Sequence, residues 1–279
     1  MSKYETIMEI RNASDRGQQS ISNLAALGLA AEQSRSLHIL WLYPDVLNLH
    51  GGRGDMMALL HVADLLELPI EIRRCDRLDE TIDFAWADMI CLNSGELKCA
   101  PEIITALQKQ REALNDFIAR GGMLWAIASS GAVLANQTEL LDGTVTEGLG
   151  LLNMNWRERE SVWGDDIWFS LPDGLQIIGN QIQVADVFLE AGQEAFGTVL
   201  YGRGNCKDGS EGARSGNVIF TNCLGPMLVK NPKLTAQWLK EAAAAAGIEV
   251  KRELKEEDVE IENRSFALIQ KFIEAKMAK

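Results

Sequence analysis

Side chains able to do covalent or acid–base chemistry are sparse in this chain and fall in a few places. Residues 121–131 place the apolar run Met123-Leu124-Trp125-Ala126-Ile127 before Ala128-Ser129-Ser130-Gly131, which reads as a buried strand entering a tight turn and helix with Ala128 at the apex. Ala128-Ser129-Ser130-Gly131-Ala132 loosely fits the small-x-Ser-x-small pattern of a nucleophile elbow, with Ser130 as the candidate hydroxyl. A serine nucleophile needs a base, and the histidines are His38, His50 and His61. His38 falls inside an apolar run and reads as a packed strand residue, so His50 is the one with a line to a pocket. Cys91, Cys99 and Cys223 offer thiols, but no cation is placed to lower their pKa, and they read first as small buried hydrophobes. The cluster Gly51-Gly52-Arg53-Gly54-Asp55 is no phosphate loop, because no Lys-Ser/Thr follows; its glycines serve a turn into a helix.

Composition narrows the function classes. The chain has 279 residues, 47% hydrophobic and 24% charged, enough to bury a sizeable core. A formal net charge of -13 and the lack of a basic stripe interleaved with aromatics exclude a phosphate-backbone partner, so no nucleic acid is expected. Five cysteines without metal or disulfide spacing fit a reducing cytoplasm, with neither metal nor cofactor expected. No basic leader with an apolar stretch and no run of about 18 apolar residues is present, so membrane insertion is not expected either.

Positioning these residues requires a scaffold, and the periodicity supplies one. Apolar runs at 37–43, 69–74, 87–92 and 123–128 read as strands, with helices over 56–66 and 101–120 between them. That alternation predicts a doubly wound, mostly parallel α/β sheet with helices on both faces, whose ligands sit at the carboxyl ends of the strands. From Gly148 the pattern shifts to short runs at 167–171, 175–182, 196–201 and 217–221, predicting an antiparallel extension. Helices are expected over 232–246 and 256–278, and residues 251–262 form a solvated, mixed-charge stretch. Trp156, Trp163 and Trp168 read as core rather than interface. The organisation expected is an N-terminal extension over 1–35 with a short helix at 23–31, one domain over 36–250, and a C-terminal helix over 251–279 packed on that domain.

Three stretches carry a resemblance. They are Tyr43-Pro44-Asp45-Val46-Leu47-Asn48-Leu49-His50-Gly51-Gly52-Arg53-Gly54-Asp55, then Asp142-Gly143-Thr144 leading to Glu147-Gly148-Leu149-Gly150, and Tyr201-Gly202-Arg203-Gly204-Asn205 leading to Leu224-Gly225-Pro226. In order and spacing they resemble the CobB/CobQ-type class I glutamine amidotransferases, and among these the amidotransferase subunits of lipid II isoglutaminyl synthase. The resemblance spans roughly residues 36–250. It implies a class I glutamine amidotransferase-like, flavodoxin-like fold, and a chemistry in which an elbow thiolate attacks the glutamine carboxamide. Backbone N–H groups then hold the oxyanion and a histidine moves the proton.

This sequence departs from that pattern at each station. The family's Cys-Gly-Gly-x-Gln elbow is Ala128-Ser129-Ser130-Gly131-Ala132 here. The Gly-rich oxyanion loop is Leu92-Asn93-Ser94-Gly95-Glu96, which keeps only Gly95. The histidine before Gly-Pro is Leu224, and the Glu-Asn-His-x-Gly-Arg segment is Gln181-Ile182-Gln183-Val184-Ala185-Asp186. Loss of a triad nucleophile costs on the order of a millionfold in turnover, and loss of the base adds little to that. The expectation is therefore a catalytically degenerate subunit, with Ala128, Leu224 and Gln183 at the former catalytic positions. Asn93, Ser94, Gly95, Ser129, Ser130 and Gly131 would line a pocket for a small molecule. The resemblance also implies a Mur ligase-like partner in peptidoglycan precursor amidation or a related pathway, met through Asp45, Asn48, His50 and Arg53. The alternative is an active amidotransferase or hydrolase using a relocated nucleophile among Ser130, Cys91, Cys99 and Cys223.

Overall fold

The computed structural model describes residues 20–24, 27 and 35–278. Its centre is a seven-stranded sheet made of β1 (Ser20–Ser22), β2 (Leu37–Leu42), β3 (Ile70–Cys75), β4 (Met89–Leu92), β5 (Met123–Ile127), β12 (Ala213–Ser215) and β13 (Val218–Thr221), in the order β1-β3-β2-β4-β5-β13-β12. The five inner strands are parallel, and β1 and β12 run antiparallel at the two edges. Residues of β2, β4 and β5 are apolar at nearly every position because both faces of the sheet are covered.

Alternate residues divide between two cores. Ile39, Trp41, Met89, Cys91, Trp125 and Ile219 face helices α1 (Gly52–Leu65) and α6 (Pro232–Ala245), where Trp125 meets Trp238 with ring centroids 5.1 Å apart. Leu40, Leu42, Ile90, Leu124, Ala126 and Phe220 face α2 (Ala100–Gln108) and α3 (Arg111–Ala119). The single helix expected over 101–120 is thus two. Gln110 breaks it: its side chain accepts the Ile82 N–H at 2.9 Å and donates to Glu80 O at 3.3 Å, so tertiary bonds outweigh helical continuity there.

A second, six-stranded sheet contains β6 (Gln137–Glu139), β7 (Val145–Glu147), β8 (Met154–Ser170), β9 (Gln176–Leu189), β10 (Gly197–Tyr201) and β11 (Ser210–Glu211). Its spine is the antiparallel β8–β9 pair, with a register irregularity between Glu158 and Trp163. The antiparallel strands expected after Gly148 are there, in a sheet of their own rather than as an extension of the parallel one, and the strand expected at 217–221 is not among them. β13 pairs in parallel with β5, Phe220 opposite Ala126, because all four of its residues are buried in the main sheet.

Two further short helices complete the fold's working parts, α4 (Gly131–Leu134) directly after β5 and α5 (Met227–Lys230) before α6. Helix α7 (Glu260–Met277) lays Ile273 against Trp168 and Ile178, and Lys276 reaches Asp165 and Asp166 at 2.7 and 2.9 Å. Part of the N-terminal segment, Ser20–Ser22, forms the edge strand β1 on β3, with Asn23 clamping the Ile70 N–H and Leu68 O. Apart from 23, 24 and 27, the helix expected over 23–31 lies outside the described residues. No described helix is long and apolar enough to cross a membrane.

The strand order reverses beside β2, with β3 on one side and β4 on the other, so the loops leaving β2 and β4 splay apart at their carboxyl ends. Helix α4 starts at this crevice with no room to spare. A Cβ on Gly131 would come within 2.3 Å of the Phe220 ring and 2.8 Å of Trp156. Gly131→Ala is expected to destabilise the fold by about 1–3 kcal/mol through this overlap, read as a lower denaturant midpoint. An unchanged midpoint would mean that the two rings do not hold this turn.

Candidate functional site

The turn after β5 is a strained elbow. Ile127 ends the strand in extended conformation, Ala128 has φ +49, and Ser129, Ser130 and Gly131 turn into α4. A left-handed L-residue costs roughly 1–2 kcal/mol, so something must hold it. Ser130 does: its Oγ accepts the Ile127 N–H at 3.0 Å and lies 2.7 Å from Leu92 O and 2.9 Å from Ile127 O, to which it donates. The hydroxyl is buried behind the elbow and bolts β5 to β4.

Loops tied to one another surround the elbow. Ser94 Oγ donates to Leu49 O at 2.8 Å, and the Leu49 N–H returns a bond to Ser94 O at 3.0 Å, joining the β4 loop to the β2 loop. The Gly95 N–H donates to Ser129 Oγ at 3.1 Å, and that hydroxyl donates in turn to Gly95 O. Gly95 has to be glycine by contact, since a Cβ would sit 2.7 Å from Leu47 Cδ2 and 3.0 Å from Val46 O. On the far side Leu224 is buried, its N–H donating to Asn180 O of β9 at 2.8 Å.

Between these elements lies a cleft of about 320 Å³, the size of a small-ligand site. It gathers His50, Ser94, Gly95, Ala128, Ser129, Gln183 and Leu224 from the residues singled out in the sequence. It does not gather the others. Asn93 is buried beneath Gly52, where a Cβ would come within 2.4 Å of its Cγ. Ser130 and Gly131 lie behind the elbow, and Asp45, Asn48 and Arg53 are exposed outside the cleft, Asp45 in an ion pair with Arg74 at 2.8 Å.

The thiols are poorly placed for chemistry. Full burial pushes the Cys91 thiol well above its ordinary range, and burial together with the Glu211 carboxyl does the same to Cys223. Cys99 is half-buried at the end of the turn Leu97–Cys99 and outside the cleft lining. His38 stacks on Trp86 with ring centroids 4.2 Å apart at the start of β2, and His61 is exposed on α1. Among the described residues no group of three or more His, Cys, Asp or Glu side chains is arranged to hold a metal.

Sequence reasoning did not assign a buried polar network to the site. Glu211, wholly buried, accepts the Thr221 hydroxyl at 2.7 Å, the Asn222 N–H at 2.8 Å and Asn222 Nδ2 at 3.1 Å. Asn222 Nδ2 also donates to Asn205 Oδ1 at 2.9 Å, which turns Asn222 Oδ1 toward Gln183 Nε2 at 3.2 Å. Gln183 Nε2 further reaches Gly204 O and Asn205 O at 2.8 and 3.1 Å, while Gln183 Oε1 has no partner. Asn222 and Trp156 join the cleft lining, the latter with an unpartnered Nε1–H, as do Glu158 and Ile182 from the β8–β9 pair. A usable signal was the density of Asn, Gln and Glu in residues otherwise patterned as buried strand.

No family model matches the chain. It is 26% identical over 216 residues, covering 76% of this chain and 88% of the relative, to the GatD subunit of lipid II isoglutaminyl synthase (glutamine-hydrolyzing) of Staphylococcus aureus. It is 25% identical over 201 residues to the GatD subunit of Streptococcus pneumoniae, covering 71% of this chain and 77% of that one. A solved structure described as a glutamine amidotransferase aligns with a TM-score of 0.49 at 17% identity, over 73% of this chain and 98% of its own. The resemblance to the amidotransferase subunits of lipid II isoglutaminyl synthase therefore holds as distant homology.

Asp55, in the first turn of α1, lies wholly buried next to this site. Its Oδ1 accepts the Leu228 N–H at 2.8 Å, but Oδ2 has no partner and sits where a Gly225 Cβ would be 2.8 Å away. Burial raises its pKa to about 7. Because the folded value lies above the unfolded one, Asp55 supports folding below the unfolded pKa and loses that contribution as pH rises through about 7. Asp55→Asn keeps the acceptor for Leu228 and removes the titration. Between about pH 4 and pH 8 its unfolding free energy is expected to gain on wild type by on the order of 3 kcal/mol, whereas a pH-independent difference would contradict a protonated Asp55.

Proposed function

We propose that this chain is a glutamine amidotransferase-like subunit that has kept the scaffold and lost the glutaminase chemistry. In this reading it partners a Mur ligase-like enzyme in the cytoplasm, in lipid II amidation or a related pathway. Homology to GatD subunits supports the pathway class. The observation that carries the reading is Ala128, a methyl group at φ +49 on an elbow whose strained form has otherwise been kept.

The local chemistry supports the same reading. An acyl-transfer site needs a nucleophile at the apex, a base within reach and a free N–H for the oxyanion. Here the apex has no heteroatom, Leu224 can move no proton, and the Gly95 N–H is already donated to Ser129 Oγ. Relocated nucleophiles fare no better on geometry. Ser130 is committed to Leu92 O and the Ile127 backbone, Ser129 to Gly95 O, and Cys91 and Cys223 are buried with raised pKa values. Residues 36–250 then act as a single amidotransferase-like unit, with Asp45, Asn48, His50 and Arg53 on the loop offered to the ligase.

Incubation of the purified full chain with glutamine and with an electrophilic glutamine analogue tests this. Ammonia release at the level of the uncatalysed blank and an unmodified intact mass are expected, together with co-purification of a Mur ligase-like protein. A covalent adduct on any serine of the cleft, or on Cys91, Cys99 or Cys223, would overturn the reading.

A further inference from the structure

We infer that the cleft beside Ala128 binds a primary aliphatic amine in its ammonium form, a selectivity that rests on the reading of the cleft as a binding site rather than a glutaminase centre. Three features set the sign of the charge it prefers. First, Gln183 is about nineteen-twentieths buried, at 4% exposure, and presents Oε1 without a partner. The amide cannot be turned over, because Nε2 already faces Gly204 O, Asn205 O and Asn222 Oδ1, and a carbonyl in its place would confront three acceptors. Asn222 is fixed in the same way by Glu211. Of the Gln183 amide, only Oε1 is left without a protein partner, an acceptor that a donor on a ligand in the cleft would satisfy.

Second, among the carboxylates and lysines lining the cleft one negative charge is left unpaired. Lys98 is paired with Glu96 at the exposed rim, while Glu158 takes the Leu141 N–H on one oxygen and has no ion-pair partner among the described residues. A ligand with a cationic head is attracted there and a carboxylate is repelled.

Third, the backbone donor that would welcome an anionic oxygen is occupied. The Gly95 N–H is bound by Ser129 Oγ, which is itself held by Gly95 O. The remaining orphan donor, Trp156 Nε1–H, is neutral and buried at 3% exposure. Leu49, Ala128, Ile182 and Leu224 supply apolar surface that suits a short methylene chain. Ser129 is thus a specificity-determining residue, because its hydroxyl occupies the Gly95 N–H, a donor that would otherwise seat an anionic oxygen.

Saturation-transfer NMR on the full chain with butylammonium, butyrate and butanol, matched in length and differing in the head group, tests the inference. Butylammonium is expected to bind in the millimolar range, with butyrate and butanol at least about tenfold weaker. Glu158→Gln, a substitution on a partly exposed strand residue, should weaken butylammonium by about fivefold to tenfold without lowering thermal stability. Ser129→Ala should free the Gly95 N–H and admit butyrate. Equal binding of butanol or butyrate by wild type, no amine binding at all, or amine binding indifferent to Glu158→Gln would each overturn the proposal. None of these outcomes depends on glutamine turnover, so a glutaminase-active chain that failed to bind the amine, or an inactive one that did, would be told apart.

Discussion

The bond pair made by the Ser130 hydroxyl is the constraint on which the rest of the site depends. One oxygen accepts the Ile127 N–H and donates to Leu92 or Ile127 carbonyl oxygen, and so fixes the end of β5 against the end of β4. That bolt keeps Ala128 in a left-handed conformation that its side chain disfavours by roughly 1–2 kcal/mol. With the elbow fixed, Ser129 falls against Gly95, Gly131 slots under Phe220 and Trp156, and α4 departs in the direction that leaves a cleft open toward β9. The residue at the apex of this strained turn carries no reactive group.

Around that point the polar groups are arranged with a consistent bias. Buried amides are oriented by a buried carboxyl: Glu211 sets Asn222, Asn222 sets Gln183, and Gln183 is left with an Oε1 that has no partner. Burial raises the Glu211 pKa, while three hydrogen bonds to its oxygens pull the other way. Asp55, with one bond and one bare oxygen, is raised by burial to about 7 against the single opposing bond from the Leu228 N–H. In both carboxyls burial is the largest influence and raises the pKa, and hydrogen bonds to the oxygens oppose it.

Much of the scaffold was legible because a parallel sheet covered on both faces writes itself as short apolar runs. Those at 37–43, 69–74, 87–92 and 123–128 correspond to β2, β3, β4 and β5, and the turn at Ala128 followed from small residues after the last of them. The placement of β13 was not legible, since Val218-Ile219-Phe220-Thr221 would look the same in either sheet and only its pairing with β5 decides. The middle of β8 was missed because Arg157-Glu158-Arg159-Glu160 has no apolar face; partners across the β9 pairing and the Arg159–Asp186 ion pair at 3.0 Å sustain it instead. In the site, the residues near Ala128 were legible from local pattern. The Gln183–Asn222 bond joins residues 39 apart and the Ser129–Gly95 pair residues 34 apart, so neither leaves a trace in any local window.

In the proposed reading the whole site has changed, and not one residue in it. Ammonia release from glutamine by Ala128→Cys, alongside wild type, tests this most directly. Both proteins are expected to remain at the uncatalysed rate, because Leu224 supplies no base and Ser129 occupies the Gly95 N–H. Turnover restored by the thiol alone would contradict it, and would reduce the difference from the glutamine-hydrolysing relatives to a single atom at the apex of the elbow.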